Sequence, residues 1–141
     1  MSPEQIELAV VVPVYRCSEC LLALHERLTR TLSDLGVTYE ILFVDDRSPD
    51  DSWPLLADLA ERDRTVRALR LSRNFGQQAA ITAGLAESRA SWTVVMDCDL
   101  QDPPEVIPPL YAKAREGHDV VLARRRSRSH VRTTTRRWRS G

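Results

Sequence analysis

Seven consecutive apolar residues, Leu8-Ala9-Val10-Val11-Val12-Pro13-Val14, leave this chain few ways to fold. A β-branched run without a polar face must be covered on both sides, which is the situation of a strand inside a parallel sheet. Leu21, Leu24, Leu28, Leu32 and Leu35 follow at spacings of three and four, then Gly36, so the next element is a helix with one apolar face and a stop. The same two patterns then repeat. Tyr39 to Val44 reads as a second strand, and Trp53, Leu56, Leu59 and Ala60 mark a second helix to about Arg62. Ser48 is read as its cap, Pro49 as its first position and Asp51 as the end of a capping box. Val66 to Leu71 is a third strand, Gln77 to Glu87 a third helix, and Trp92 to Met96 a short buried fourth strand. A helix near Pro109 to Glu116 and a fifth strand, Asp119 to Ala123, end the series. This alternation predicts the α/β class: a mainly parallel, Rossmann-like sheet with right-handed crossovers and helices on both faces.

Size is consistent with that plan, since 141 residues with 43% hydrophobic content supply one domain with a real core. No apolar run approaches the ~20 residues of a membrane span, and the first residues lack a signal-peptide pattern, so a cytoplasmic location is expected. Both periodicities stop after Ala123. Residues 124–141 carry eight of the 20 basic residues and no acid, whereas residues 1–123 carry 12 basic and 20 acidic ones. The expected division is therefore a domain over 1–123 and an Arg-rich tail over 124–141 without regular structure. Such a tail is either simply solvated or suited to phosphate, nucleic acid or an anionic membrane surface. Three cysteines do not make a disulfide framework. Cys17-Ser18-Glu19-Cys20 has the spacing of a redox pair, but nothing else matches such a domain and zinc would want further ligands. Both are read as small, half-buried residues at a helix start, without a redox role.

Alternation in a parallel sheet also places the loops after the first four strands on one edge, where open α/β sheets bind ligands. Those loops hold Tyr15 to Cys17, Asp45 to Ser48, Ser72 to Gly76 and Asp97 to Asp102. The last is the most chemical, with three carboxylates in Asp97-Cys98-Asp99-Leu100-Gln101-Asp102. Asp97 and Asp99 lie two apart, so an extended backbone points both to one side. They could share one hard cation. Mg²⁺ or Mn²⁺ suits a cluster this small, because such ions rest on one or two carboxylates plus substrate phosphates, and a nucleoside diphosphate compound is then the implied substrate. The same aspartates also suit turns and helix caps ahead of Pro103-Pro104.

With these loops in order, the chain resembles the catalytic domain of a family-2 glycosyltransferase with the GT-A fold. The resemblance runs from about Leu8 to Arg128 and is nearest to the branch, typified by dolichol-phosphate mannose synthase, that passes sugars to polyprenyl phosphates. It rests on Val11-Val12-Pro13-Val14-Tyr15, Phe43-Val44-Asp45-Asp46-Arg47-Ser48-Pro49-Asp50, Leu71-Ser72-Arg73-Asn74-Phe75-Gly76 and Met96-Asp97-Cys98-Asp99-Leu100-Gln101-Asp102-Pro103-Pro104-Glu105.

The resemblance implies a UDP- or GDP-linked sugar donor held by Pro13, Tyr15, Asp45 and Asp46, with Asp46 meeting the base, and assigns Arg73 to substrate. It makes Asp97 and Asp99 the catalytic metal-and-sugar pair, Gln101 a further metal ligand, and Arg125 and Arg128 the contacts to phosphate oxygens, which the planar, always charged guanidinium suits. It also implies inverting transfer without a covalent enzyme intermediate, to a polyprenyl phosphate already anionic and needing no general base; a sugar hydroxyl as acceptor would instead require a carboxylate base, and no residue of this sequence is assigned that role. The expected partners are that donor, that acceptor and the inner face of a membrane touched peripherally, not nucleic acid.

This chain departs from the family pattern at Arg16-Cys17, where Asn-Glu is usual, and at Asp102, where the branch often has His. It also lacks the family's downstream acceptor-binding segments, so it is expected to be C-terminally truncated, and the alternative reading is a non-catalytic nucleotide-binding fragment. A response-regulator receiver domain is disfavoured, because its acidic pair would follow the first strand and a Lys the last.

Overall fold

A computed structural model describes residues 5–117, 120–127 and 130–136. The elements in chain order are β1 (Leu8–Val14), α1 (Leu21–Leu35), β2 (Tyr39–Asp45), α2 (Ser52–Arg62), β3 (Val66–Arg70), α3 (Gln77–Glu87), β4 (Trp92–Val95), a 3-10 turn at Pro104–Val106, α4 (Ile107–Arg115), β5 (Val120–Ser127) and β6 (His130–Arg136). Four strands form one sheet in the order β3-β2-β1-β4, every neighbouring pair parallel. The class and architecture are those expected.

Chain order explains which helix covers which face. From β1 to β2 to β3 the chain advances one way across the sheet, and right-handed crossovers then put α1 and α2 on the same side. From β3 it returns past β2 and β1 to reach β4, so α3 lies on the other. On the first side Leu21, Leu24, Leu28 and Leu32 of α1 pack with Leu56 and Leu59 of α2, Ile107 and Tyr111 of α4, and Val10, Val12, Ile41 and Phe43 of the sheet. Each fully buried leucine contributes roughly 1.5–3 kcal/mol. Gly36 stops α1 in the left-handed conformation (φ 74°), its N–H donating to the Ser33 carbonyl at 3.2 Å.

On the opposite face α3 sits so close to the sheet that a side chain at Gly84 would overlap Val11 Cγ1 and stand 3.2 Å from Val44 Cγ2. Both valines are fully buried and stiff at χ1. Gly84→Ala is therefore expected to lower stability by roughly 1–3 kcal/mol through overpacking, despite a helix-propensity gain of about 1 kcal/mol. A thermal melt checks this; an unchanged or raised Tm would show that α3 slides to make room.

Three expectations are revised. Ser48 does not cap α2, which begins at Ser52, because its hydroxyl instead accepts a hydrogen bond from the backbone N–H of Arg16 at 3.0 Å. β4 is not a buried strand: Trp92, Thr93 and Val94 are half-buried and Val95 is exposed, because among the described residues β4 pairs with β1 alone. The fifth strand does not join the parallel sheet. It runs on to Ser127 and pairs antiparallel with His130–Arg136, so regular backbone continues where the sequence shows neither period. Arg124–Ser127 and His130–Arg136 can pair because ladder hydrogen bonds come from the backbone and do not need an apolar pattern.

Candidate functional site

Because all four strands of the main sheet are parallel, the loops after them open on one edge. The order reverses between β1 and β4, the switch point at which α/β sheets leave a crevice. A cavity of about 610 Å³ lies there, walled by the end of β1 and by all four loops: Pro13 within β1, Tyr15, Arg16 and Cys17 after it, Asp46 after β2, Asn74 and Gly76 after β3, and Asp97, Cys98 and Asp99 after β4, with Gln77 from the start of α3. That volume falls within the usual range of small-molecule sites.

The loops are fastened to one another by side chains accepting from backbone. Arg16 N–H donates to Ser48 Oγ at 3.0 Å and Ser18 N–H to Asp50 Oδ2 at 3.2 Å, tying the first loop to the second. Burial works to raise the carboxyl of Asp50, but hydrogen bonds from Ser52 and Ser18 outweigh it and hold the group below the usual carboxylate range. Asp46, buried, accepts from Phe75 N–H at 2.8 Å with one oxygen and from Gly76 N–H at 3.0 Å with the other, tying the second loop to the third. Gly76 takes φ 101°, outside the range most side chains tolerate, as it presents that N–H. Gln77 Nε2 donates to Asp97 Oδ1 at 3.0 Å, tying the start of α3 to the fourth loop. Three non-glycine residues adopt positive φ among the described residues, Arg16 (56°), Arg47 (59°) and Leu100 (63°), one in each of three site loops. Such backbone persists where surrounding contacts over-determine it.

The residues assigned from sequence separate accordingly. Pro13, Tyr15, Asp46, Asp97 and Asp99 line the cavity together. Asp45, Arg73 and Gln101 are not among the described residues that do. Asp45 is fully buried, with one oxygen accepting from Ser48 N–H at 3.3 Å and the other 3.4 Å from Arg70 Nε, an ion pair lacking hydrogen-bond alignment. Arg70 is itself stacked on Trp53, so Asp45 serves the base of the turn. Arg73 lies exposed with its guanidinium 4.6 Å from the centre of the Phe75 ring. Gln101 N–H donates to Asp99 Oδ1 at 3.1 Å, an Asx-type turn that sets the loop's path. Arg125 falls on β5 in the separate sheet, and Arg128 lies outside the described residues.

Asn74 and Gly76 lie in the Ser72–Gly76 loop that the sequence places on this edge but have no individual role there, whereas Gln77, also on the cavity wall, reads from sequence only as a helix start. Cys17 is also reassigned: it is disulfide-bonded to Cys98, with a Cα–Cα distance of 6.1 Å, and Cys20 is a free thiol. The sequence reading gives Cys17 no partner, since a Cys17–Cys20 pair is rejected there; in the structure Cys20 is the N-cap of α1, whereas Cys17 and Cys98 stand in the loops after the adjacent strands β1 and β4.

Among the described residues no group of three or more His, Cys, Asp or Glu side chains could by itself hold a metal ion. The carboxylates on the cavity wall are Asp46, already engaged by two backbone N–H groups, and the pair Asp97 and Asp99, the set that could contribute to a metal site. That set fits Mg²⁺ or Mn²⁺ completed by substrate phosphates, and does not fit an all-protein cage. No helix among the described residues is long and apolar enough to cross a membrane.

Comparison with known proteins agrees with this geometry. The chain is 44% identical over 140 residues to the undecaprenyl-phosphate 4-deoxy-4-formamido-L-arabinose transferase of Pseudomonas aeruginosa strain PAO1, covering 98% of this chain and 41% of that one. It is 44% identical over 123 residues to the Proteus mirabilis transferase of the same name, covering 86% and 38%. The chain thus spans about two-fifths of the length of these curated relatives. Among solved structures, S. aureus TarS 1-349 in complex with UDP-GlcNAc superposes with a TM-score of 0.64 at 18% identity, over 82% of this chain and 33% of that one. The mannosyltransferase PcManGT from Pyrobaculum calidifontis, in complex with GDP-Man and Mn²⁺, gives 0.65 at 16% identity over 76% and 32%. These two likenesses establish the shared GT-A fold. The family model "Glycosyl transferase family 2" matches residues 9–140, so a parallel sheet whose four loops wall one cavity meets a match over nearly the whole sequence, and the chain belongs to glycosyl transferase family 2.

Proposed function

We propose that this chain is the donor-binding part of an inverting glycosyltransferase that moves a sugar from a UDP- or GDP-linked donor to a polyprenyl phosphate. The observation that carries the reading is the convergence of four loops on one cavity with Asp97 and Asp99 on its wall. It is supported by relatives named for undecaprenyl phosphate and by fold neighbours solved with UDP-GlcNAc and with GDP-Man and Mn²⁺.

In this reading residues 1–123 hold the donor. Pro13 and Tyr15 border the nucleotide. Asp46 keeps the third loop in place through Phe75 and Gly76, and its remaining lone pairs can accept from a uracil or guanine ring N–H. Asp97 and Asp99 hold the divalent ion, with Gln77 orienting Asp97. When bound, Mg²⁺ or Mn²⁺ offsets the negative charge of the diphosphate. Transfer forms a bond from an acceptor oxygen to the anomeric carbon as the bond to the diphosphate oxygen breaks on the opposite face. A lipid phosphate is anionic near neutral pH, so no proton need be removed from it. The basic stretch over 124–141, which includes Arg125 and Arg128, is assigned to that phosphate and to anionic lipid at the cytoplasmic face, at about 1 kcal/mol per basic residue near the surface.

Calorimetric titration with a panel of UDP- and GDP-sugars, with Mn²⁺ or Mg²⁺ and then with chelator, tests the reading. Binding to one nucleotide class that chelator abolishes is expected. Equal affinity in chelator removes the metal site, and a response confined to non-nucleotide ligands sinks the reading as a whole. A second reading is donor binding without transfer. Transfer of labelled sugar to a short-chain polyprenyl phosphate separates the two.

A further inference from the structure

The ties between the site loops form a chain: the first loop to the second through Ser48 and Asp50, the second to the third through Asp46, and the start of α3 to the fourth through Gln77. The bond between Cys17 and Cys98 joins the fourth loop back to the first. It thereby closes a ring around the cavity. Cys98 stands between Asp97 and Asp99, and the Cys17 carbonyl accepts from the N–H of Cys20, the N-cap of α1, at 2.9 Å and from the N–H of Leu21, its first residue, at 3.2 Å. One partner is thus anchored to a helix buried against the sheet, and the other carries both carboxylates. Both cysteines line the cavity and each is 8% exposed, so the sulfurs lie against the space a donor would fill.

We propose that Cys17 and Cys98 form a thiol–disulfide latch that sets the affinity of the donor site. The proposal rests on the donor-site reading above. With the bond formed, the cavity keeps its volume of about 610 Å³ and the Asp97-Cys98-Asp99 segment is pinned to the first loop. With the bond reduced, that segment must be ordered when ligand binds, and ordering costs affinity that a preorganised site retains. Closure needs an oxidant, and a small-molecule disulfide serves. One cysteine sulfur attacks it, forming a mixed disulfide and releasing one small thiol. The second cysteine sulfur then attacks the protein sulfur of that mixed disulfide and releases the other small thiol. Two protons and two electrons leave the protein pair and appear in the two thiols. An external dithiol reverses both steps. Disulfides in reducing compartments are typically transient and redox-sensing, and one placed between two ligand carboxylates is positioned to sense by binding.

The test begins with the chain equilibrated with oxidised glutathione, or reduced with dithiothreitol and desalted without air. Free thiols are alkylated, and the protein is digested and mapped by mass spectrometry without reduction. A cross-linked Cys17–Cys98 peptide with alkylated Cys20 is expected in the oxidised sample alone. Calorimetric titration with GDP and with UDP in Mn²⁺ then compares the two forms with Cys98→Ser and Cys20→Ser. The oxidised form is expected to bind the preferred nucleotide about five- to tenfold more tightly than the reduced form. Cys98→Ser should bind like the reduced form whatever the redox treatment, and Cys20→Ser should keep the full response. A shift in melting alone does not count, since a disulfide stabilises by constraining the unfolded chain. A Cys17–Cys20 cross-link, no cross-link, or affinities within twofold in the two forms overturns the latch. Failure of both forms to bind any nucleotide overturns the donor-site reading and the latch's role with it, whereas equal binding by both overturns the latch alone.

Discussion

Asp99→Ala is expected to reduce Mn²⁺-dependent nucleotide affinity by about a hundredfold or more, to the level the parent chain shows in chelator. Loss of an outer-shell partner of a metal ligand commonly costs 10–100-fold, and here a proposed ligand itself is removed from a donor set of two carboxylates. Asp97 differs from Asp99 because Gln77 Nε2 donates to it at 3.0 Å. Asp97→Asn keeps an acceptor for Gln77 but loses the charge, so it should approach Asp99→Ala. Gln77→Ala leaves both carboxylates and removes one orienting bond, so a loss of about tenfold is expected. Titration calorimetry with and without chelator ranks the three. If Asp99→Ala and the parent respond identically to Mn²⁺, the pair is not the metal site and the aspartates act as turn residues, the role the Asp99–Gln101 turn already gives one of them.

Asp46→Ala should lower stability by roughly 2–4 kcal/mol, seen as a fall in Tm of about 10 °C. Its carboxylate is buried, and its two oxygens accept from Phe75 N–H at 2.8 Å and Gly76 N–H at 3.0 Å. Removing it leaves two donors without their acceptor, and part of that cost returns as the loop opens to water. Asp46→Asn distinguishes anchoring from charge. The amide oxygen can accept one of the two hydrogen bonds, but its NH₂ then faces the other N–H, so an intermediate loss is expected. Nucleotide affinity should fall with loop order in both variants. A Tm within about 2 °C of the parent for Asp46→Ala would show that the third loop holds itself, leaving Asp46 only the base contact assigned by resemblance.

What could be read along the chain was what repeats over a few residues. The unbroken apolar run of β1, the leucines of α1 and the stop at Gly36 each depend on neighbours within one or two turns, and all three were recovered. Strand and helix alternation then placed four loops on one edge without any knowledge of side-chain geometry, because right-handed crossovers allow few other arrangements. That is why Asp46, Asp97 and Asp99, placed on that edge from the sequence, line one cavity. What tertiary structure alone decided were the contacts between residues distant in sequence. Asp45 and Asp46 are adjacent and chemically identical, yet one turns beneath the loop toward Arg70 and the other lines the cavity, since successive side chains leave a strand end in opposite directions. Ser48 looked like a cap until Arg16, 32 residues earlier in the chain, supplied a nearer donor. Cys17 lay three residues from Cys20 and 81 from Cys98, and the pairing went to the distant one because β1 and β4 are adjacent in the sheet. Sequence spacing measures distance along the backbone, whereas a disulfide requires proximity in space.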